Sequence, residues 1–234
     1  GLTGLFGKVG SVASTVGKGI FTVAENVVKV SAAATTAGAA AVSALTTLAI
    51  NSYADYEQLV GGVETLYKDS AAKVQQYAAD AYKTSGMTAN EYMTTATSYA
   101  AALVSSLGGD TEQAAELSNM AVSDMADNWN KFGSSADSVQ AAYNGFAKGQ
   151  FQLLDNLKLG YGGTKEEMER LLDDANKLNA AQGKYTDYSI DSFSDIILAI
   201  HDIQTEYDIT GTTAKEASTT ISGSLSAAKA AWAN

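Results

Sequence analysis

Cysteine and proline are absent from this 234-residue chain, and histidine occurs once. Without cysteine there is no disulfide framework and no thiolate metal site, and the redox compartment stays open. Proline breaks helix interiors and stiffens turns, so its absence suits long helices. The lone His201 has no second imidazole and no cysteine with which to share a metal. A surplus of basic charge is also missing. The net charge of −11 argues against phosphate-backbone binding as the main role, because that needs a basic face. The apolar content leans on alanine more than on Val, Ile or Phe, which favours helix over sheet.

The length suits one or two domains. The chain starts at Gly1 rather than Met and stops at Asn234 inside what reads as an unfinished helix. The expectation is a piece, or a processed product, of something longer. Charge is unevenly placed. Through Asn51 there are three lysines and one glutamate, a net +2, which leaves −13 for the remainder. The division expected is a weakly basic, apolar, Ala/Gly-rich helical arm over 1–52 and an acidic multi-helix body over 53–234.

Within the arm, Val30 to Ile50 is a run of 21 residues without a charge, about the length of a helix crossing a bilayer. Val30, Val42, Leu45, Leu48 and Ile50 supply most of its apolarity, while nine alanines and four threonines dilute it. Strong spans are richer in Leu, Ile, Val and Phe. Small residues let helix backbones approach closely. Two readings stay open: a buried helix seam in an oligomer, and a segment that enters a membrane once released.

The body repeats one punctuation mark, glycine followed by a helix N-cap signal. Gly86 precedes Thr88…Glu91, Gly109 precedes Asp110…Gln113, and Gly133 precedes Ser134…Asp137. Gly163 precedes Thr164…Glu167, and Gly211 precedes Thr213…Glu216. Such spacing fits a capping box, with glycine ending the previous helix. Met168, Leu171, Leu172, Ala175 and Leu178 form one helical stripe, with Glu166/Arg170 and Asp173/Lys177 as pairs on the wet side. Ile190, Phe193, Ile196, Ile197, Ile200, Ile203 and Tyr207 fall on another arc, opposite Asp191, Asp195, Asp202 and Glu206. The stretch 149–163 reads as a substantial ordered loop. The fold class expected is all-α, a multi-helix bundle.

No residue pattern announces chemistry. His201 reads as a satisfied histidine at the edge of the isoleucine stripe. Carboxylate pairs such as Asp124/Asp127 and Asp173/Asp174 read as solvated faces or caps. Asp124 and Asn128 lie near the apolar arc of Leu117, Ala121, Met125 and Trp129, which suggests buried polar contacts between helices. Gly160-Tyr-Gly-Gly-Thr164 leads into a helix start but lacks the Lys-Ser/Thr ending of a phosphate loop, and Glu166 and Glu167 would repel an anion. The chain is expected to be no enzyme and to bind no cofactor and no metal.

Several stretches together carry a resemblance. The closest is Gly145-Phe-Ala-Lys-Gly-Gln-Phe151 with Leu154-Asp-Asn-Leu-Lys-Leu-Gly-Tyr-Gly-Gly-Thr-Lys-Glu-Glu-Met-Glu-Arg-Leu-Leu172. Leu107-Gly-Gly-Asp110 and Met120-Ala-Val-Ser-Asp-Met-Ala-Asp-Asn128 precede it. Ala199-Ile-His-Asp-Ile-Gln204, Ile209 through Leu225 and Ala230-Ala-Trp-Ala-Asn234 follow. From about Tyr56 onward the chain resembles the shared region of tape-measure proteins from tailed phages and prophages of Gram-positive bacteria. Gly149-Gln150-Phe151 departs slightly from the expected Gln-Asn-aromatic form, and the arm matches in character only. The motif residues, all expected to be structural, are Phe146, Lys148, Leu154, Asp155, Asn156, Lys158, Gly160, Tyr161, Gly162, Gly163, Thr164, Glu167, Arg170, Gly211, Thr212 and Thr213.

The resemblance implies a helical virion protein in the lumen of the tail tube, whose length sets tail length during assembly. It leaves ahead of the DNA on infection, and in some phages it helps form a passage through the host membrane. This chain lacks the extended ruler, so it would be a terminal or near-terminal portion seated by the tip. The implied partners are further copies, as a trimer on the tail axis, the tail tube and distal tail or tail-tip proteins, and the host membrane; specific nucleic-acid binding is not implied. Two other classes compete: a membrane-active helical pore-former, and a cell-wall hydrolase.

Overall fold

The computed structural model describes residues 55–219 and Ala230. The apolar arm, with Val30, Val42, Leu45, Leu48 and Ile50, lies outside the described residues. Every described element is helical. α1 runs over 55–67, followed by the 3-10 turn Lys68–Ser70, α2 (Ala71–Thr84), α3 (Ala89–Ser106), α4 (Thr111–Phe132) and α5 (Ala136–Phe146). The 3-10 helix Leu154–Leu157, α6 (Lys165–Ala181), α7 (Phe193–Glu206) and α8 (Thr212–Thr219) complete the order. The chain is an all-α multi-helix bundle, as its periodicity predicts.

Local chemistry sets most helix starts. Thr88 and Glu91 close a full capping box: the Glu91 amide donates to Thr88 Oγ1 at 3.2 Å, and the Thr88 amide donates to Glu91 Oε2 at 2.8 Å. Asp110 Oδ1 accepts from the amides of Glu112 and Gln113 at 3.0 and 2.9 Å, and Thr164 Oγ1 accepts from Glu167 at 3.2 Å.

Two expected caps are corrected. The cap of α5 is Ser135, whose Oγ accepts from the Ser138 amide, not Ser134. Gly133 turns left-handed (φ 62°) to end α4, and the chain spends one further residue before re-entering a helix. Thr213 is likewise no cap, because α8 already begins at Thr212. A start without a glycine signal, Ser192 with Asp195, opens α7 at 3.3 Å. That start leaves Ile190 in a preceding turn, and Tyr207 lies past the helix end, half exposed at 49%. Neither belongs to the buried α7 face of Phe193, Ile196, Ile197, Ile200 and Ile203.

From Gln58 onward the residues form one unit. α4 is its centre, packed against α2, α3, α5, α7, α8 and the first 3-10 turn, while α6 packs on α7. Completely buried Val122, Met125 and Ala126 give α4 an apolar side; each large side chain of this kind contributes roughly 1.5–3 kcal/mol. A helix surrounded by neighbours has little wet face left, so its polar residues are forced inward. Ser118, Asp124, Asp127 and Asn128 are all at most 2% exposed.

Candidate functional site: a polar framework on the central helix

Burying a polar group without a partner costs about 1–3 kcal/mol, more for a charge. α4 meets most of that demand by binding four other parts of the chain, with Asn128 Oδ1 left unpartnered. Ser118 Oγ shares a 2.6 Å hydrogen bond with the Tyr67 hydroxyl, which lies 2.9 Å from the Ala96 carbonyl oxygen. Burial pushes the Tyr67 hydroxyl up to about 12. Asp124 holds both carboxylate oxygens against His201 Nδ1 on α7, at 3.0 and 2.9 Å. Asp127 accepts from the amides of Gly211 and Thr213 at 2.6 and 2.8 Å. Asn128 Nδ2 donates to the Leu157 carbonyl at 2.9 Å and to Gln204 Oε1 at 3.3 Å.

The electrostatics follow from burial. Asp124 is pushed up to about 6, chiefly because it is removed from water; the hydrogen bond and charge of His201 oppose this, and the charges of Asp127 and Asp202 reinforce it. His201 is raised, first by its hydrogen bond to Asp124, against the effect of burial. Asp202 is half-buried and accepts from Asn179 Nδ2 at 2.5 Å and from the Tyr188 hydroxyl at 2.9 Å, so it bridges neighbouring segments rather than standing free on a wet face. Asp124 and Asp127 are buried, so neither is a solvated face; Asp127 takes the other expected role, that of a cap, at the start of α8. The sequence places Asp124 and Asn128 between helices correctly.

The motif stretch forms a corner joined to this framework. Phe146 is buried at the end of α5, its ring 5.9 Å from Tyr143 and 6.3 Å from Phe151. Leu154 is buried in the 3-10 helix, and Asp155 caps its far end by accepting the Lys158 amide at 3.0 Å through its carbonyl. Asn156 Nδ2 donates to Ser138 O, and Lys158, left-handed at φ 53°, donates through Nζ to Phe132 O at 3.2 Å. Lys148 is exposed, and its amide closes a turn on Gly145 O.

Gly163 is required by close approach: a Cβ there would lie 2.2 Å from the Gln152 carbonyl oxygen. Glu167 Oε2 accepts the Gly162 amide at 2.9 Å, so the site that resembles an anion cradle is filled by the chain's own carboxylate. Arg170 donates to Glu167 Oε2 at 2.6 Å and to Gly160 O at 2.9 Å, and it lies 4.3 Å over the Tyr161 ring. It therefore pairs with Glu167 rather than Glu166, because the loop draws the guanidinium to that side. The Tyr161 hydroxyl donates to Asp174 at 3.1 Å. Asp173 and Lys177 pair at 2.5 Å, as expected.

No protein-family model, curated protein or solved structure matches the chain.

What the framework can do chemically is limited by what surrounds it. A buried Asp orienting an imidazole through Nδ1 is the arrangement used for proton transfer, but the described hydrogen bonds of the His201 ring go to Asp124 alone. An open groove of about 740 Å³ lies elsewhere, lined by Phe146, Phe151, Phe193 and Ile196, with Lys165 and Asp191 as its charged members. Among the described residues no group of three His, Asp or Glu side chains is placed to hold a metal ion. Sequence reasoning missed Asp127 as a remote cap and Asp124 as the partner of His201. The available signal was the i, i+3, i+4 spacing of Asp124, Asp127 and Asn128 on one helix.

Proposed function

We propose that this chain is a segment of a phage tail tape-measure protein, seated in the tail-tube lumen near the tip and acting by assembly rather than by catalysis. One observation carries the reading. Four of the separate stretches that resemble the family, 120–128, 154–172, 199–204 and 209–225, are hydrogen-bonded in a single framework centred on α4. Asp127 reaches Gly211 and Thr213, Asn128 reaches Leu157 and Gln204, and Asp124 reaches His201. Residues that stand out for a reason other than chemistry are expected to hold one another in place, and these do. The acidic balance of the chain also suits a tube through which DNA passes, since it discourages sticking. In this reading the copies form a trimer on the tail axis, contact tube and distal tail proteins, and leave ahead of the genome toward the host membrane.

Electron cryomicroscopy of intact tails containing this chain tests the reading. Threefold density for the bundle on the tube axis beside the tip is the expected result. Absence of the chain from purified particles, or a position outside the tube, overturns it.

The charge-free run Val30–Ile50 favours a second reading, a membrane-active helical protein in which the acidic bundle keeps the arm soluble. No described helix is long and apolar enough to cross a membrane, so this reading rests on the arm. Flotation of the full chain with anionic vesicles, combined with absence from tails, would favour it over the first.

A further inference from the structure

Residues 182–192 join α6 to α7, and 180–185 are exposed without interruption, Tyr185 at 92%. α6 ends on left-handed Gly183 at φ 77°, and the Lys184 amide turns back to donate to Asn179 O at 2.9 Å. The chain is fixed again at Tyr188. Its amide donates to Asn176 Oδ1 at 3.0 Å, and its hydroxyl to Asp202 Oδ2 at 2.9 Å. Between these two points the amides of Tyr185, Thr186 and Asp187 make no backbone hydrogen bond, and 184–189 have no regular structure. An endopeptidase binds its substrate extended, through free backbone groups, so it cuts where few native bonds must first be unmade.

The other basic residues among 55–219 are better guarded. Lys73, Lys83, Lys131, Lys165, Arg170, Lys177 and Lys215 lie in α-helices, and Lys68 in the first 3-10 turn. Lys148 sits in a turn closed by its own amide onto Gly145 O, and by those of Gly149 and Gln150 onto Phe146 O and Gly145 O. Lys158 is tied through its amide to Asp155 O and through Nζ to Phe132 O, and Leu159 after it is buried. Lys184 alone in this range combines an exposed cationic side chain with an unbonded run of backbone after it.

We propose that the Lys184–Tyr185 peptide bond is a processing site for a trypsin-like endopeptidase, and that the two products remain one folded body. The Lys184 ammonium selects the bond by entering the acidic specificity pocket of such an enzyme. Water balances the step: the amide C–N bond breaks, hydroxyl goes to the Lys184 carbonyl carbon and a proton to the Tyr185 nitrogen. The upstream product keeps α6 with Met168, Leu171, Leu172 and Ala175 buried, and the downstream product keeps α7, which α6 packs against. Hydrogen bonds also cross the cut, among them Tyr188 to Asn176, Asn179 to Asp202 and His201 to Asp124. The site needs nothing of the tail reading, since it is a property of the chain by itself.

Limited digestion of the full chain with trypsin, read by mass spectrometry, tests this. Among residues 55–219 the first cut is expected after Lys184. The pieces on either side should co-elute on size exclusion and keep the helical circular dichroism of the uncut chain. Lys184→Gln should slow the first cut in this range about tenfold or more. Tyr188→Phe gives up the hydroxyl bond to Asp202 but keeps the amide bond to Asn176, so it should quicken cleavage about fivefold by easing local opening. The proposal falls if the first cut comes at Lys148, Lys158 or inside a helix, or if the pieces separate without denaturant. It falls equally if Lys184→Gln is cut in this range as fast as the wild type, or if Tyr188→Phe is cut no faster.

Discussion

The corner between α5 and α6 and the polar half of α4 both fasten loops to helices, but they set their charges in opposite surroundings. At the corner Glu167 and Arg170 stand in water, and Arg170 with the Gly162 amide holds the Glu167 carboxyl down to about 2. On α4, Asp124 is stripped of water and sits at about 6 with one imidazole beside it. Exposed pairs are screened and contribute little, so the corner must draw its rigidity from backbone fit, above all Gly163 against Gln152. A buried carboxylate is different: losing its partner is costly whatever the backbone does. The contrast teaches that one region is fixed by shape and the other by satisfied charge.

Removing the partner on α4 should have the largest effect. His201→Leu keeps apolar contacts but strands Asp124, and we expect a loss of about 3 kcal/mol in urea unfolding at neutral pH, at the low end for buried pairs because the ring is 30% exposed. A change below about 1 kcal/mol would mean that water already serves Asp124. At the corner, Gly163→Ala should cost about 2 kcal/mol by overpacking against the Gln152 backbone. Gly133→Ala is the control, with open space and only a left-handed φ of 62° to resist it, so roughly 1 kcal/mol. Equal losses at the two glycines would remove shape as the corner's foundation.

Acidity separates the regions by sign. Asp124 holds its proton to about 6 against an ordinary 3.8, and His201 holds its own above 6.5. From about pH 4 to beyond 6.5 the folded chain therefore binds more protons here than the unfolded chain, and stability from this pair falls as pH rises. Glu167 acts in the other direction: its contribution is present above 4.5 and is lost as pH falls toward 2. Denaturant midpoints for the wild type and for Asp124→Asn/His201→Gln, compared from pH 4 to 8, should converge with rising pH, by at most about 1.4 kcal/mol per pH unit for each proton. A constant gap would show that the pair does not titrate in this window. Glu167→Gln should alter the slope only on the acid side.

These two regions were not equally legible in the sequence. Caps at Thr88, Asp110 and Thr164 depend on residues three apart, so spacing reveals them. Ser134 is one residue early because the left-handed turn at Gly133 consumes a position that composition does not register. Thr213 fails for a deeper reason: the acceptor for that helix start is Asp127, which no local window contains. The same distance hides the pairing of His201 with Asp124, although the position of Asp124 beside an apolar arc marks it as interior. Periodicity alone carries the α7 arc too far at both ends, because Ile190 and Tyr207 fit a helical period that Ser192 and the left-handed Asp208 interrupt. Motif resemblance found the corner as a string of residues, while the reason for its glycines needed the approach of Gln152.

The smallest expected effects lie among the caps themselves. Thr88 and Glu91 serve each other's amides, whereas at Thr164 the box is half built: Glu167 turns its carboxylate to Gly162 instead, and the Thr164 amide bonds to Gly162 O at 3.0 Å. Thr164→Ala therefore removes one acceptor and leaves the Glu167–Gly162 contact standing, for a loss of about 1 kcal/mol. Thr88→Ala removes the acceptor for the Glu91 amide and also the hydroxyl bonded to Glu91 Oε2 at 2.9 Å, so its loss should be the larger of the two. Thermal unfolding of both variants reads the difference. If Thr164→Ala proves the costlier, the Thr164 hydroxyl is holding the corner as well as the helix, and the corner depends on side-chain bonding more than on the fit of its backbone.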